Sequence, residues 1–188
     1  SHDGIGVRPL EGILPKQEIL DLAEEVEKKG GFVSMRKLED GSESPYELNS
    51  TYYSALSDPK DEALGEARFI CSQSVALAMR GIPAVYFHSI CATSNDLKGV
   101  KETGRKRTIN RKKWEWEELE KLLEEKESQT VRVFEWYARV LRRRAACPAF
   151  HPDAPQKILD FGTSIFAFER ASLDGSQIAL CLFNFQGE

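Results

Sequence analysis

Residues 58–87, DPKDEALGEARFICSQSVALAMRGIPAVYF, decide the fold class of this 188-residue chain. Asp58 can cap a helix with acids in its first turn, and apolar residues recur at helical spacing up to Gly81. Residues 82–87 then have the composition of a short buried strand. A helix that feeds a buried strand through a tight turn predicts an αβ unit of a parallel sheet or barrel, and therefore an α/β fold.

The fifty residues before this unit are expected to be a small excursion rather than a packed domain. Aliphatic spacing predicts one helix over residues 16–29, which Gly30 and Gly31 end. Residues 4–13 are predicted to be a loop, and residues 37–50 are polar and turn-rich.

The residues after this αβ unit are predicted to be mainly helical at first and then to form strands. Residues 89–113 are predicted to be a long loop, and helices are predicted over 114–126 and 130–146. After Pro148 the chain consists of short strand-like runs separated by turn signals at Gly162 and Gly175. These runs are 157–160, 164–169 and 177–185. The shift places a domain boundary near residues 147–155.

Composition excludes several classes of protein. A net charge of −4 argues against general nucleic-acid binding. No apolar run approaches the roughly 20 residues that cross a bilayer, so no membrane association is predicted. The four cysteines are scattered, show no metal-ligand spacing and predict free thiols in a reducing cytoplasm.

Four motifs carry candidate chemistry. They are HDGIG at 2–6, YELNSTYY at 46–53, GIPAVYF at 81–87 with SND at 94–96, and GRKRTINR at 104–111. Taken alone, the first has an ordinary interpretation as a polar loop, and the second as a turn leading to an aromatic-rich segment.

The last motif lies in a basic segment, residues 101–113, with seven basic residues and one acid. It is compatible with a solvated cationic loop, with an anion- or sugar-binding loop, or with a nucleic-acid surface. No aromatic residue alternates with the basic ones, which weakens the third interpretation.

In this order, the four motifs resemble the sucrose phosphorylase branch of the α-amylase superfamily (glycoside hydrolase family 13), from residue 1 to about 170. Within that branch, HDGIGVRPLEGILP, YFHS and AFHPDAPQ are most similar to glucosylglycerate phosphorylases. Sucrose phosphorylases tend to have Gln in place of Glu47, and their GRDINR motif is two residues shorter. Both departures favour an acceptor other than sucrose.

The resemblance implies the C-terminal portion of a TIM (β/α)8 barrel followed by the start of a β-sheet C-terminal domain. Residues 1–146 would be the end of the catalytic barrel, with 4–50 as an insertion after strand seven and 51–146 as the last αβα elements. Residues 147–188 would be a truncated C-terminal β domain.

The resemblance also implies a retaining phosphorylase, which transfers glucose from an α-glucoside such as glucosylglycerate to inorganic phosphate and needs no cofactor or metal. Small carbohydrates and phosphate are the expected partners. Asp3 would be the transition-state stabiliser, and His2 would bind the same sugar. The other expected substrate-binding residues are Arg107 in the sugar site, Tyr46 and Glu47 on the acceptor side, and Arg8 toward an acceptor carboxylate.

By the same resemblance, the nucleophile and the acid/base precede residue 1, so the isolated chain is expected to be inactive and marginally stable. Two alternatives remain open. One is a sucrose or sucrose-6-phosphate phosphorylase, and the other is a non-enzymatic binding module that uses residues 101–113.

Overall fold

The computed structural model describes residues 2–186, and within them it contains two three-stranded antiparallel sheets and seven α-helices. Three 3-10 turns occupy Arg8–Leu10, Lys106–Asn110 and Pro148–Phe150. The regular elements, in chain order, are β1 (Ile5–Gly6), α1 (Lys16–Lys28), β2 (Phe32–Lys37), β3 (Glu43–Asn49), α2 (Tyr52–Leu56), α3 (Glu62–Ala78), α4 (Phe87–Ile90), α5 (Leu97–Thr103), α6 (Trp116–Glu124), α7 (Gln129–Ala146), β4 (Gln156–Asp160), β5 (Ile165–Ala171) and β6 (Ile178–Asn184). None of the described helices is long and apolar enough to cross a membrane.

The first sheet has the strand order β1-β3-β2, and α1 packs against it. The prediction that residues 4–50 form an unpacked excursion is therefore wrong, because this part of the chain has a core of its own. The buried members of that core are Val7, Ile19, Ala23, Val26, Val33 and Leu48. Helix α1 was predicted to within one residue, since its apolar stripe follows the helical period.

Strand β3 lies between its two neighbours and contradicts the prediction that residues 37–50 are turn-rich. Its buried positions include polar side chains, among them Ser44, Glu47 and Asn49. Such residues are uncommon in buried strands, which is why the sequence pattern indicated turns. Their side chains have partners in the fold; the amide of Asn49, for example, donates to Ser34 Oγ at 2.7 Å.

Helix α3 begins later than the sequence predicts. Asp61, rather than Asp58, accepts the capping hydrogen bond, from the amide of Leu64 at 2.9 Å. Asp58 instead accepts from the amide of Lys60 across Pro59. Helix α3 packs on α7 through Phe69. Its half-buried residues Cys71, Val75 and Ala78 contact the second sheet.

The predicted strand over residues 82–87 is wrong. Residues 82–86 form no strand, and Phe87 begins the short helix α4. A strand needs hydrogen-bonded neighbours, and no strand of the described residues pairs with this segment. Both sheets are antiparallel, so the part of the chain that the structure describes is a mixed α/β arrangement without an evident barrel.

The predicted loop over 89–113 contains α5 and the 3-10 turn Lys106–Asn110. Helices α6 and α7 lie where the spacing predicts them. On α7, Val133 and Tyr137 are buried, and Val140 and Leu141 pack against the same core. Phe134 on the same helix is exposed.

The second sheet, in the order β4-β5-β6, confirms the three predicted C-terminal strands. Arg170 of β5 is fully buried beneath it, and its guanidinium donates to four backbone carbonyls. Two of these bonds are 2.8 Å long, to Ala78 at the end of α3 and to His151. The others go to Ala154 at 3.2 Å and Pro155 at 3.4 Å. Burial lowers the pKa of Arg170, yet the arginine remains the donor that joins α3 to the sheet.

Arg170→Met should lower the free energy of unfolding by about 3 kcal/mol, because several buried carbonyl groups would lose their donor. Urea denaturation followed by circular dichroism measures this change. Arg139→Met is the matched control, since Arg139 is exposed on α7 and should change stability very little. Equal effects of the two substitutions would contradict the role assigned to Arg170.

Candidate functional site

The HDGIG motif lies directly against β3. Gly6 pairs with Glu47 and Ile5 pairs with Leu48. Gly4 has φ of 88°, and a Cβ placed on it would lie 2.8 Å from the carbonyl oxygen of Leu48 and 3.1 Å from Cγ of Glu47. Glycine at this position therefore allows the chain that follows Asp3 to approach β3 closely.

Both carboxylate oxygens of Asp3 have a partner. Oδ1 accepts from Nη2 of Arg111 at 3.1 Å, and Oδ2 lies 3.0 Å from Nε2 of His2. Arg111 also donates through Nε to the backbone carbonyl of His2 at 2.7 Å. All three side chains are substantially exposed, so these contacts orient the groups more than they stabilise the fold.

A second ion pair lies beside the first. Nε and Nη2 of Arg107 donate to the two carboxylate oxygens of Glu47 at 3.1 and 2.8 Å. The Glu47 side chain is only 9% exposed, because β3 is the central strand of its sheet. A bidentate pair of this kind fixes the plane of the guanidinium as well as its position.

Strand β3 has an irregularity next to Glu47. Ser34 faces Glu47 and Met35 faces Pro45, so Tyr46 is an extra residue without a partner on β2. A bulge of this type bends the strand and redirects the neighbouring side chains.

The two ion pairs lie side by side, because a Cβ on Gly4, the residue after Asp3, would lie 3.1 Å from Cγ of Glu47. Tyr46 precedes Glu47 on the same strand. The pKa of Arg107 is raised, first by its hydrogen bonds with Glu47 and by the charge of that carboxylate, and to a lesser extent by Tyr46 and Asp3. This arrangement brings five of the six sequence-predicted site residues together: His2, Asp3, Tyr46, Glu47 and Arg107.

Arg8 is the exception. It lies in the exposed 3-10 turn after β1, and no hydrogen bond or ion pair of the described residues involves its side chain. Its charge helps to lower the pKa of Glu11, after the dominant hydrogen bond from Arg36. The structure thus gives Arg8 no contact with the Asp3 cluster.

Two residues that sequence reasoning did not assign belong to the site. Arg111 holds Asp3, and the hydroxyl of Tyr86 donates to the backbone carbonyl of Asn110 at 2.9 Å, with its ring centroid 6.4 Å from that of His2. Burial raises the pKa of Tyr86, and the charges of Arg111 and Asp3 act on it in opposite directions. Both residues lie within quoted motifs, but only the fold shows which of the motif residues meet.

A groove of about 980 Å³ lies on another side of the basic segment. Its lining includes Arg111 and Trp114 but neither Asp3 nor Glu47. The groove and the ion-paired cluster share Arg111, and the charged groups converge at the cluster. Among residues 2–186, no group of three or more His, Cys, Asp or Glu side chains is arranged to hold a metal ion.

Comparison with known proteins identifies relatives over nearly the whole chain, although no protein-family model matches it. Glucosylglycerate phosphorylase of Spirochaeta thermophila is 40% identical over 185 residues, which cover 98% of this chain and 31% of that protein. Sucrose phosphorylase of Streptococcus mutans is 30% identical over 188 residues, which cover 99% of this chain and 37% of that protein.

A solved structure supports the same relation. The crystal structure of sucrose 6F-phosphate phosphorylase from Thermoanaerobacter thermosaccharolyticum matches with a TM-score of 0.71 and 25% identity. The match covers 100% of this chain and 38% of that one. The chain thus spans about a third of the length of the relatives that it matches.

Gly4→Ala should destabilise the protein by about 2 kcal/mol, because alanine is strained at positive φ and would contact the Leu48 carbonyl. Thermal unfolding measures the change. Gly6→Ala is a close control, since a Cβ on Gly6 meets nothing within 4 Å. If the two variants unfold at the same temperature, the close approach at Gly4 is not important.

His88 should make the protein less stable in mild acid. It is 7% exposed, its Nδ1 lies 3.1 Å from Thr93 Oγ1, and burial, followed by the charge of Lys112, lowers its pKa below 6.5. The unfolded chain therefore binds this proton more readily, and the free energy of unfolding should fall as the pH drops below about 6.5.

Urea denaturation between pH 7.5 and 5.5 tests this expectation. His88→Gln should flatten the pH dependence, whereas His151→Gln, at an exposed position, should leave it unchanged. A wild-type stability that is constant across this range would contradict the role of His88.

Proposed function

We propose that this chain, which belongs to the sucrose phosphorylase branch of glycoside hydrolase family 13, supplies the sugar-stabilising and acceptor-selecting part of a retaining glucosylglycerate phosphorylase. Relatives at about 40% identity are glucosylglycerate phosphorylases, and the quoted sucrose phosphorylase is less similar, at 30%. The complete reaction is proposed for the chain in the context of its whole coding sequence, because the relatives are about three times as long.

One observation carries this proposal. Asp3 is oriented through both carboxylate oxygens, and the Glu47–Arg107 pair lies beside it. An oriented carboxylate beside paired charges is suited to hold sugar hydroxyls and to stabilise positive charge on the ring. A loose polar loop at residues 2–6 would give Asp3 no such partners.

In the proposed reaction, the bond between glucose C1 and the glycerate oxygen breaks while a carboxylate of the enzyme bonds to C1. A carboxylic acid gives its proton to the departing glycerate oxygen. An oxygen of inorganic phosphate then gives its proton to the acid, which is thereby restored, and attacks C1, displaces the carboxylate and forms α-glucose 1-phosphate. The nucleophile and the acid are proposed to come from outside residues 1–188, and no cofactor is required.

The proposed role of Asp3 is electrostatic. Positive charge builds up at C1 and on the ring oxygen in the transition state, and a fixed carboxylate interacts more strongly with that charge than with the neutral sugar. Arg111 and His2 hold the carboxylate so that it does not need to reorient during the reaction.

The acceptor side is proposed to be formed by Tyr46 and Glu47, and Arg107 of the sugar site is proposed to reach it through its pair with Glu47. In Arg107, Nε and Nη2 are bonded to Glu47, whereas Nη1 has no hydrogen-bond partner among residues 2–186. A guanidinium that keeps one amino group available can bind the carboxylate of glycerate. Arg8 is a further proposed contact for that carboxylate, because its guanidinium is exposed and makes no hydrogen bond or ion pair with the residues that the structure describes.

The conditions of the reaction are proposed to be those of the reducing cytoplasm, with a small α-glucoside and phosphate as substrates. The four cysteines are free thiols: Cys71, Cys91, Cys147 and Cys181. This state accords with a reducing compartment.

The alternative of a nucleic-acid-binding module is disfavoured by the basic segment itself. Lys106, Arg107 and Arg111 are already engaged in contacts within the protein. If the alternative were correct, the protein would bind nucleic acid with strong salt dependence. Neutralising Arg105, Arg107 and Arg111 together would then abolish that binding.

Asp3→Asn should lower kcat for the phosphorolysis of glucosylglycerate by about 100- to 1,000-fold, because the amide keeps the shape of the carboxylate but loses its charge. Release of α-glucose 1-phosphate by the complete gene product measures this effect. Asp40→Asn, at an exposed turn, is the control and should retain full activity. Unchanged turnover in Asp3→Asn would refute the proposed role.

The donor specificity should favour glucosylglycerate. We expect faster phosphorolysis of glucosylglycerate than of sucrose or sucrose 6-phosphate by the complete gene product, and no activity from the purified 188-residue chain. Preference for either sucrose donor would overturn the acceptor assignment. Activity of the 188-residue chain would show that the nucleophile and the acid lie within it.

A further inference from the structure

Three basic residues of the segment 101–113 contact three neighbouring parts of the first sheet. Lys106 contacts β2, Arg107 contacts β3, and Arg111 contacts His2 and Asp3 just before β1. Since the strand order is β1-β3-β2, these contacts run in order across the sheet. The proposed function assigns roles near the substrate to Arg107 and Arg111, but it gives no role to Lys106.

Lys106 makes two contacts with adjacent residues of β2. Its Nζ donates to the backbone carbonyl of Val33 at 3.2 Å and lies 5.9 Å from the ring centroid of Phe32. An ammonium group can make both interactions at once, because it donates hydrogen bonds and is attracted to the face of an aromatic ring. Neighbouring Arg105 is exposed, and its side chain has no hydrogen bond or ion pair with any residue from 2 to 186.

The 3-10 turn that contains Lys106 is also held by contacts at its C-terminal end. Ile109 is fully buried, and its carbonyl accepts from the amide of Asp96 at 2.8 Å. Because successive residues of a 3-10 helix are about 120° apart around its axis, a rotation of the turn would swing Arg107 away from Glu47. Lys106, next to Arg107, opposes such a rotation from the side of the sheet.

We propose that Lys106 is a positioning residue that keeps Arg107 aligned with Glu47 and thereby shapes the acceptor side of the site. This inference rests on the proposed function, in which Glu47 and Arg107 select the acceptor. Lys106 itself contacts only the protein, so it acts through Arg107. Removing its charge should weaken acceptor binding more than it slows the chemical step.

Lys106→Met in the complete gene product tests the proposal, because methionine keeps much of the packing on Phe32 but cannot donate to Val33. In the synthetic direction, with glucose 1-phosphate as donor, KM for glycerate should rise about tenfold while kcat changes less than about threefold. Lys106→Arg should restore KM to within about threefold of wild type, since arginine can donate and stack. Arg105→Met, the matched control, should resemble wild type.

Hydrogen exchange measured by mass spectrometry gives a readout that does not depend on activity. Amides of residues 104–111 should exchange faster in Lys106→Met than in wild type or in Arg105→Met. If wild type lacks phosphorylase activity, the proposed function fails, but the exchange comparison still tests whether Lys106 holds the segment.

Three results would overturn the proposal. They are an unchanged KM and unchanged exchange in Lys106→Met, an equal effect of Arg105→Met, and a loss of activity in Lys106→Met that Lys106→Arg does not restore. The last result would indicate a general structural defect instead of positioning.

Discussion

The arrangement of the site depends on the ion pair between Glu47 and Arg107. A carboxylate that is largely buried in the central strand of a sheet is costly unless a positive group compensates it. Arg107 compensates the charge of Glu47 by donating two hydrogen bonds to it, from Nε and Nη2. This pair holds the basic segment against the sheet. The neighbouring contacts of Lys106 and Arg111 then follow from where that segment lies.

The glycine at position 4 sets a second constraint on the same place. It lets residues 2–3 pass so close to β3 that Asp3 lies within reach of Arg111, beside the Glu47–Arg107 pair. A side chain at Gly4 would collide with the Leu48 carbonyl and crowd the side chain of Glu47. The positive φ and the close approach thus explain the glycine of the HDG motif in terms of geometry.

Arginine side chains contact both sheets, but they bind different kinds of partner. At the first sheet, Arg107 and Arg111 bind carboxylates near the surface and stay partly exposed. In the second, Arg170 is fully buried among backbone carbonyls and holds a strand to the end of α3. The first arrangement suits recognition, whereas the second suits stability, because no anion can reach Arg170.

Local pattern was sufficient for α1, α6, α7 and the three C-terminal strands, because their apolar spacing and their turn residues agree with the structure that forms. It was insufficient for β3 and for residues 82–87. The first has polar residues that become buried only because partners from elsewhere in the chain satisfy them. The second has the composition of a strand but pairs with no strand among the described residues.

The sequence by itself determined the order of the motifs, and with it the family and the identities of His2, Asp3, Tyr46, Glu47 and Arg107 as candidates. Only the tertiary structure decided that Arg107 pairs with Glu47 and that Arg111 holds Asp3. The two arginines are four residues apart and chemically identical. Which carboxylate each one meets depends on the register of β1 and β3 and on the rotation of a 3-10 turn, and neither is encoded in residue spacing alone.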